Sequence, residues 1–271
     1  MLIKIKSIVV IVALIVLASC QTANRPAGEQ GSSDTLNKEQ ISEGVKEVVY
    51  PLPTPFEMTQ MLNDIGASYV SKILNPTTKV DKYMTEKEKA VGLGVYGADL
   101  AYTTTYDREQ DMKSYLKTVK TLVDALGVNI NYDTFLSDEF KLKANNKDTL
   151  VKVITNTFYE TYSTLKEKNN PEISVMMVSG MWIELMYIAT HISKDTYNNT
   201  QIVDIIAKQK DSYNKLMELL SKYSDKSDVK DLSDKLTVLK EPFAKIESGL
   251  TVDEYNTMLK TIEKVRKEFV Q

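Results

Sequence analysis

Two stretches decide the fold: residues 90–106, AVGLGVYGADLAYTTTY, and residues 173–193, ISVMMVSGMWIELMYIATHIS. Each is apolar all round a helical wheel yet holds one acid, Asp99 in the first and Glu184 in the second. A helix without a polar face belongs in the middle of a bundle, covered by others. The second stretch approaches the length of a membrane span. Ser174, Ser179, Gly180, Glu184 and His191 argue against hydrocarbon surroundings for it.

The covering helices are legible on either side. Phe56, Met58, Met61, Leu62, Ile65, Tyr69, Val70 and Ile73 recur at helical spacing, which predicts one helix from Pro55 up to Asn75-Pro76. Thr85 with Glu88 reads as a capping box opening the first core helix. Asp107 with Gln110 reads as the opening of the next, whose stripe from Met112 to Leu126 is closed by Gly127. A shorter helix is expected over 132–142 and a longer one over 147–168, and Pro171 suits the first turn of the second core helix. Helices over 199–223, 228–239 and 251–269 complete the set, the last with a Thr251–Glu254 capping box. No segment alternates strictly. The expectation is an all-α, multi-helix antiparallel bundle over residues 51–271, its neighbours joined by short loops.

The two core stretches share a short pattern. Asp99-Leu100-Ala101-Tyr102 through Thr105 lines up with Glu184-Leu185-Met186-Tyr187 through Thr190, with acid, Leu, Tyr and Thr in the same places. Two pseudo-repeated helical halves and chance similarity are both open readings of that match.

The amino-terminal segment reads as an address. Lys4 and Lys6 precede a compact apolar run from Ile8 to Leu17, and Ala18, Ser19 and Cys20 follow. This is the layout of a secretory signal peptide over residues 1–19, too short to span a bilayer. Residues 20–50 read as a flexible tether that includes a short amphipathic helix over 38–49, after which Pro51, Pro53 and Pro55 impose extended chain.

Composition narrows the function. Removing residues 1–19 takes away two lysines and no acids, leaving 32 cations against 37 acids, a charge of −5. Such a chain lacks the electrostatic footprint of a nucleic-acid binder. His191 is the single histidine and Cys20 the single cysteine, so no metal site and no cofactor is expected, and no disulfide can form.

The candidate site follows from the core acids. Burying a carboxylate alone costs several kcal/mol, so such a group is paired, protonated or open to a wet cavity. Asp99 and Tyr102 share one helical face, as do Glu184, Tyr187 and His191, with Trp182 nearby either as core packing or as a stacking platform. Three readings are open. In the first, Asp99 and Glu184 are satisfied by tyrosine hydroxyls, loop amides, or Arg108 and a lysine, and so fix helix register. They line a shared cavity for a small polar ligand in the second reading, and in the third they act as an acid and base whose pKa values are pushed apart. The strip Ala90, Gly94, Gly97, Ala98 and Ala101 either admits a close helix or leaves room for a ligand.

Leu17-Ala18-Ser19-Cys20 resembles the lipobox of bacterial lipoproteins at every position. The resemblance implies lipid on the Cys20 sulfur and cleavage before it. With Gln21 rather than aspartate next, it also implies an outer-membrane location facing the periplasm. The 92–100 segment and Trp182-Ile183-Glu184 look like parts of uncharacterised helical lipoproteins of Bacteroidota, a likeness that brings no activity. The expected function is a membrane-anchored ligand- or protein-binding module of the cell envelope. A carboxylate-dependent enzyme and a purely structural envelope component are the alternatives.

Overall fold

The structure is a computed structural model, and it describes residues 52–129, 147–167, 170–193, 196–246 and 249–270. Cys20, the signal peptide, the tether with its 38–49 helix and the expected 132–142 helix lie outside the described residues. Those that are described form ten α-helices and no strand. They are α1 (Pro55–Asp64), α2 (Glu86–Thr105), α3 (Glu109–Ala125), α4 (Lys147–Glu167), α5 (Pro171–His191), α6 (Thr200–Ala207), α7 (Gln209–Ser221), α8 (Ser227–Thr237), α9 (Lys240–Ala244) and α10 (Val252–Phe269). The all-α bundle expected from periodicity is what forms.

At the centre lie α2 and α5, the two helices without a polar face. The most apolar window of α5 is 94 % buried inside the domain, so its hydropathy belongs to a core helix. Glycines set their closeness. A Cβ on Gly94 would lie 1.9 Å from the Met177 carbonyl oxygen, and one on Gly180 would lie 2.1 Å from that of Val91. The two backbones touch directly there, which only glycine permits.

These central helices run in the same direction. Lys87 at the start of α2 pairs with Asp231 of α8 at 2.6 Å, and Glu172 at the start of α5 pairs with Lys226, the residue before α8, at 3.8 Å. Helices consecutive in sequence instead fold back: α3 returns along α2 after a short turn, and α4 and α5 are joined by a short loop. The parallel pair brings the shared 99–105 and 184–190 patterns side by side, acid beside acid.

The boundaries differ from expectation in three places, each for a local reason. The first helix stops at Asp64 instead of continuing to Ile73. Gly66 takes φ 76°, the Ala67 amide donates to the Leu62 carbonyl and the Gly66 amide to Asn63, which is a Schellman stop. Asp107 does not cap α3. It sits at φ 55° and ends α2 by the same motif, with the Arg108 amide donating to the Thr103 carbonyl, and Arg108 occupies the cap position of α3. The single helix expected over 199–223 is two, α6 and α7, meeting at Lys208. There the buried Gln209 donates its side-chain amide to the Ile205 carbonyl. The capping boxes at Thr85 and Thr251 form, and a further one at Thr54–Glu57 opens α1 on Pro55.

Candidate functional site

Asp99 and Glu184 meet at the contact between α2 and α5, and each is 0 % exposed. Their carboxyl groups lie within hydrogen-bonding reach of one another. Glu184 is held from the other side by Arg266 of α10, whose Nε and Nη2 donate to its two oxygens at 2.7 Å each. This fork is the strong bidentate form of the ion pair. Arg266 also caps the Tyr187 ring, with its guanidinium carbon 4.0 Å from the centroid, and points its Nη2 at the Ile73 carbonyl at 3.4 Å.

Asp99 is placed differently. One oxygen, Oδ2, accepts from the Asn75 amide at 3.1 Å, while Oδ1 meets no N–H or O–H donor. Burial, then the neighbouring Glu184 charge, push the Asp99 carboxyl well above its ordinary range; Arg266 and the Asn75 amide oppose this and lose. Two carboxyl groups in contact hydrogen-bond only if one carries a proton. Raised in this way, Asp99 is the member of the pair that keeps its proton, beside a Glu184 side chain whose two oxygens Arg266 holds. Positive and negative charge balance within the cluster, the condition for burying it.

The segment from Val70 to Pro76 closes over this cluster. Its Val70 amide donates to the Tyr102 hydroxyl at 2.9 Å, and the Asn75 side chain donates to Tyr83 at 2.8 Å. Tyr115 donates to the Asn75 carbonyl at 3.0 Å and Tyr96 to the Pro76 carbonyl at 2.9 Å. Asn75 is itself 1 % exposed. Short irregular chain at the core is tolerable because its polar groups find these partners. The result is a sealed polar knot that ties α2, α3, α5 and α10 through one loop.

Of the residues singled out in sequence, Asp99, Glu184 and Tyr187 come together here. Tyr102 borders the knot through Val70 and stacks on Tyr69 at 5.1 Å; burial pushes its hydroxyl up to about 12. His191 stacks on Tyr187 at 4.0 Å, with Nδ1 3.0 Å from the Tyr187 carbonyl oxygen, and burial lowers its pKa. Trp182 faces elsewhere, packed on Tyr213 and Phe243 at 5.9 and 6.1 Å, with its Nε1 unpartnered. The expected partner Arg108 is not at the acids; it lies 4.9 Å over the Tyr69 ring. Arg266 takes that role, and the sequence reading missed it. A usable signal existed, since Arg266 is one of few arginines in a lysine-rich chain and sits amid Ile262, Val265 and Phe269. Arginine is the residue suited to forked, buried pairing.

A second feature lies on another side of α2. A narrow apolar pocket, enclosing about 40 Å³, opens between α1, α2, α3, α4 and Met177 of α5. Leu93, Gly97, Leu100 and Ala101 form its α2 wall, with Phe56 and Phe158 opposite. Among the described residues no charged side chain lines it, and neither Asp99 nor Glu184 reaches it. The shared acidic cavity imagined from sequence is thus not this pocket: burial and Arg266 have closed the acids in. Among the described residues no three His, Cys, Asp or Glu side chains gather where a metal ion would be held.

No family model, curated protein or solved structure matches the chain, so its chemistry is read from its own residues.

Proposed function

We propose that this chain is a lipid-anchored binding module of the cell envelope, attached through Cys20 to the outer membrane and facing the periplasm. The lipobox-like Leu17-Ala18-Ser19-Cys20 supports the anchor. Several acyl chains on one residue give durable attachment without a spanning helix. The observation that carries the binding reading is the apolar pocket beside α2, the kind of concave, mostly apolar site that ligands occupy. A catalytic use of Asp99 and Glu184 is disfavoured because both are fully buried and already engaged, one by Asn75 and the other by Arg266. Neither carboxyl group is open to a ligand arriving from solvent.

Fractionation of cells expressing the full chain tests the anchor. The wild type is expected in the membrane fraction, with mass spectrometry showing a diacylglyceryl group on an amino-terminal Cys20. Cys20→Ala is expected to leave the protein unlipidated and uncleaved at that site. An unmodified Cys20 thiol in the mature wild type would sink the anchor.

A further inference from the structure

Three of the glycines of α2 have different neighbours, and the difference singles out the pocket. A Cβ on Gly92 would press on the Tyr83 ring at 2.8 Å, and one on Gly94 would strike the α5 backbone at 1.9 Å. Both are glycines because something packs against them. Gly97 is not: nothing lies within 4 Å of where its Cβ would be. A glycine inside a helix is unfavourable relative to alanine, and no packing contact explains this one. Gly97 instead forms the floor of the apolar pocket, next to Ala101. Space is being kept there.

We propose that the pocket binds a single unbranched alkyl chain, that of a fatty acid or of a lipid. The proposal deepens the binding-module reading and rests on it for the supply of such chains. The lining fixes the class. Its side chains are aliphatic, aromatic or threonine, and Thr161, one of the threonines, already gives its hydroxyl to the Thr157 carbonyl at 2.8 Å. With no charge and few free polar groups to satisfy a polar guest, the buried part of the ligand must be hydrocarbon. The enclosed space is narrow, about 40 Å³, which suits a chain one methylene wide and excludes a fused ring system. Position agrees. Thr54, Pro55 and Phe56 line the pocket, and Cys20 precedes them in the same chain. An anchored protein thereby keeps this pocket within tether reach of the bilayer.

The test uses the full chain reconstituted into phosphatidylethanolamine and phosphatidylglycerol vesicles. One arm contains palmitate bearing a diazirine, the other a phospholipid with the same group in an acyl chain. After illumination, cross-links are mapped by mass spectrometry. They are expected on peptides covering 93–101 and 154–161, and the arm that labels identifies free acid or lipid as the source. An added Cβ at Gly97 meets no neighbour and leucine is a better helix former than glycine, so Gly97→Leu should unfold at or above the wild-type temperature. Its cross-linking should fall about tenfold, as expected when a few methylenes are excluded. Absence of label on those peptides in both arms overturns the proposal, as does label unchanged by Gly97→Leu in a folded variant. Pocket labelling by palmitate of a chain whose Cys20 proves unlipidated would keep the pocket and discard the anchor.

Discussion

Helix α2 carries two opposite solutions to the problem of what to place in a protein core. On the side of Asp99 it buries charge and satisfies it. Arg266 forks onto Glu184, Glu184 lies beside Asp99, and the Asn75 amide donates to Asp99 Oδ2. On the side of Gly97 it buries nothing polar and leaves space. The first region is full and its parts depend on one another; the second is open and its parts are nearly independent. Substitutions should therefore be costly and mutually coupled in the knot, and cheap or even favourable at the pocket.

The largest effect is expected from Glu184→Gln. It removes one half of a buried ion pair and leaves the Arg266 charge uncompensated, which costs about 3–5 kcal/mol. Urea unfolding followed by fluorescence of the single Trp182 measures it, since that ring is buried against Tyr213 and Phe243. A loss below 1 kcal/mol would mean that the knot is not a structural tie. Gly94→Ala comes next. Its methyl must push Met177 and α5 away, at about 1–3 kcal/mol or more, measurable by the same unfolding curve.

Gly97→Ala sharpens the contrast by changing sign. The added methyl meets no atom, and the helix gains about 1 kcal/mol from alanine's better propensity. If Gly97→Ala were as damaging as Gly94→Ala, the open floor of the pocket would be wrong. The smallest effect at acid pH, growing upward, belongs to Asp99→Asn. An asparagine keeps the shape, accepts from the Asn75 amide and donates to Glu184 as the protonated acid does.

Much of this was legible in the sequence. Charge-poor core helices announce themselves because every face is apolar, and the matching places of Asp99 and Glu184 in their helices forecast that both would be core acids. Capping boxes at Thr85 and Thr251 were readable because their chemistry is local. Arg266 was not, since α10 is an ordinary amphipathic helix and its partner lies far away in sequence. Nor was the Asn75 loop, whose clamp is assembled from Tyr96 on α2, Tyr115 on α3 and Tyr83 ahead of α2. Gly94 and Gly97 look alike in sequence and differ only in what lies opposite. Asp107 misled because its side chain suits a helix cap while its backbone serves a left-handed turn.

The proton on Asp99 is the central claim, and linkage between pH and stability tests it most directly. Burial and Glu184 raise the folded-state pKa above the unfolded value, near 3.8. Its stabilising contribution is therefore complete below about pH 4 and is lost as pH rises towards the folded-state value, at about 1.4 kcal/mol per pH unit. Asparagine at this position has no proton to lose. Unfolding free energies of the wild type and Asp99→Asn should be measured from pH 4 to pH 9. A gap that starts small and widens with pH in favour of asparagine is the predicted result. A gap that stays constant, or that moves towards the wild type as pH rises, would mean that Asp99 is ionised in the fold and that the knot is held together in some other way.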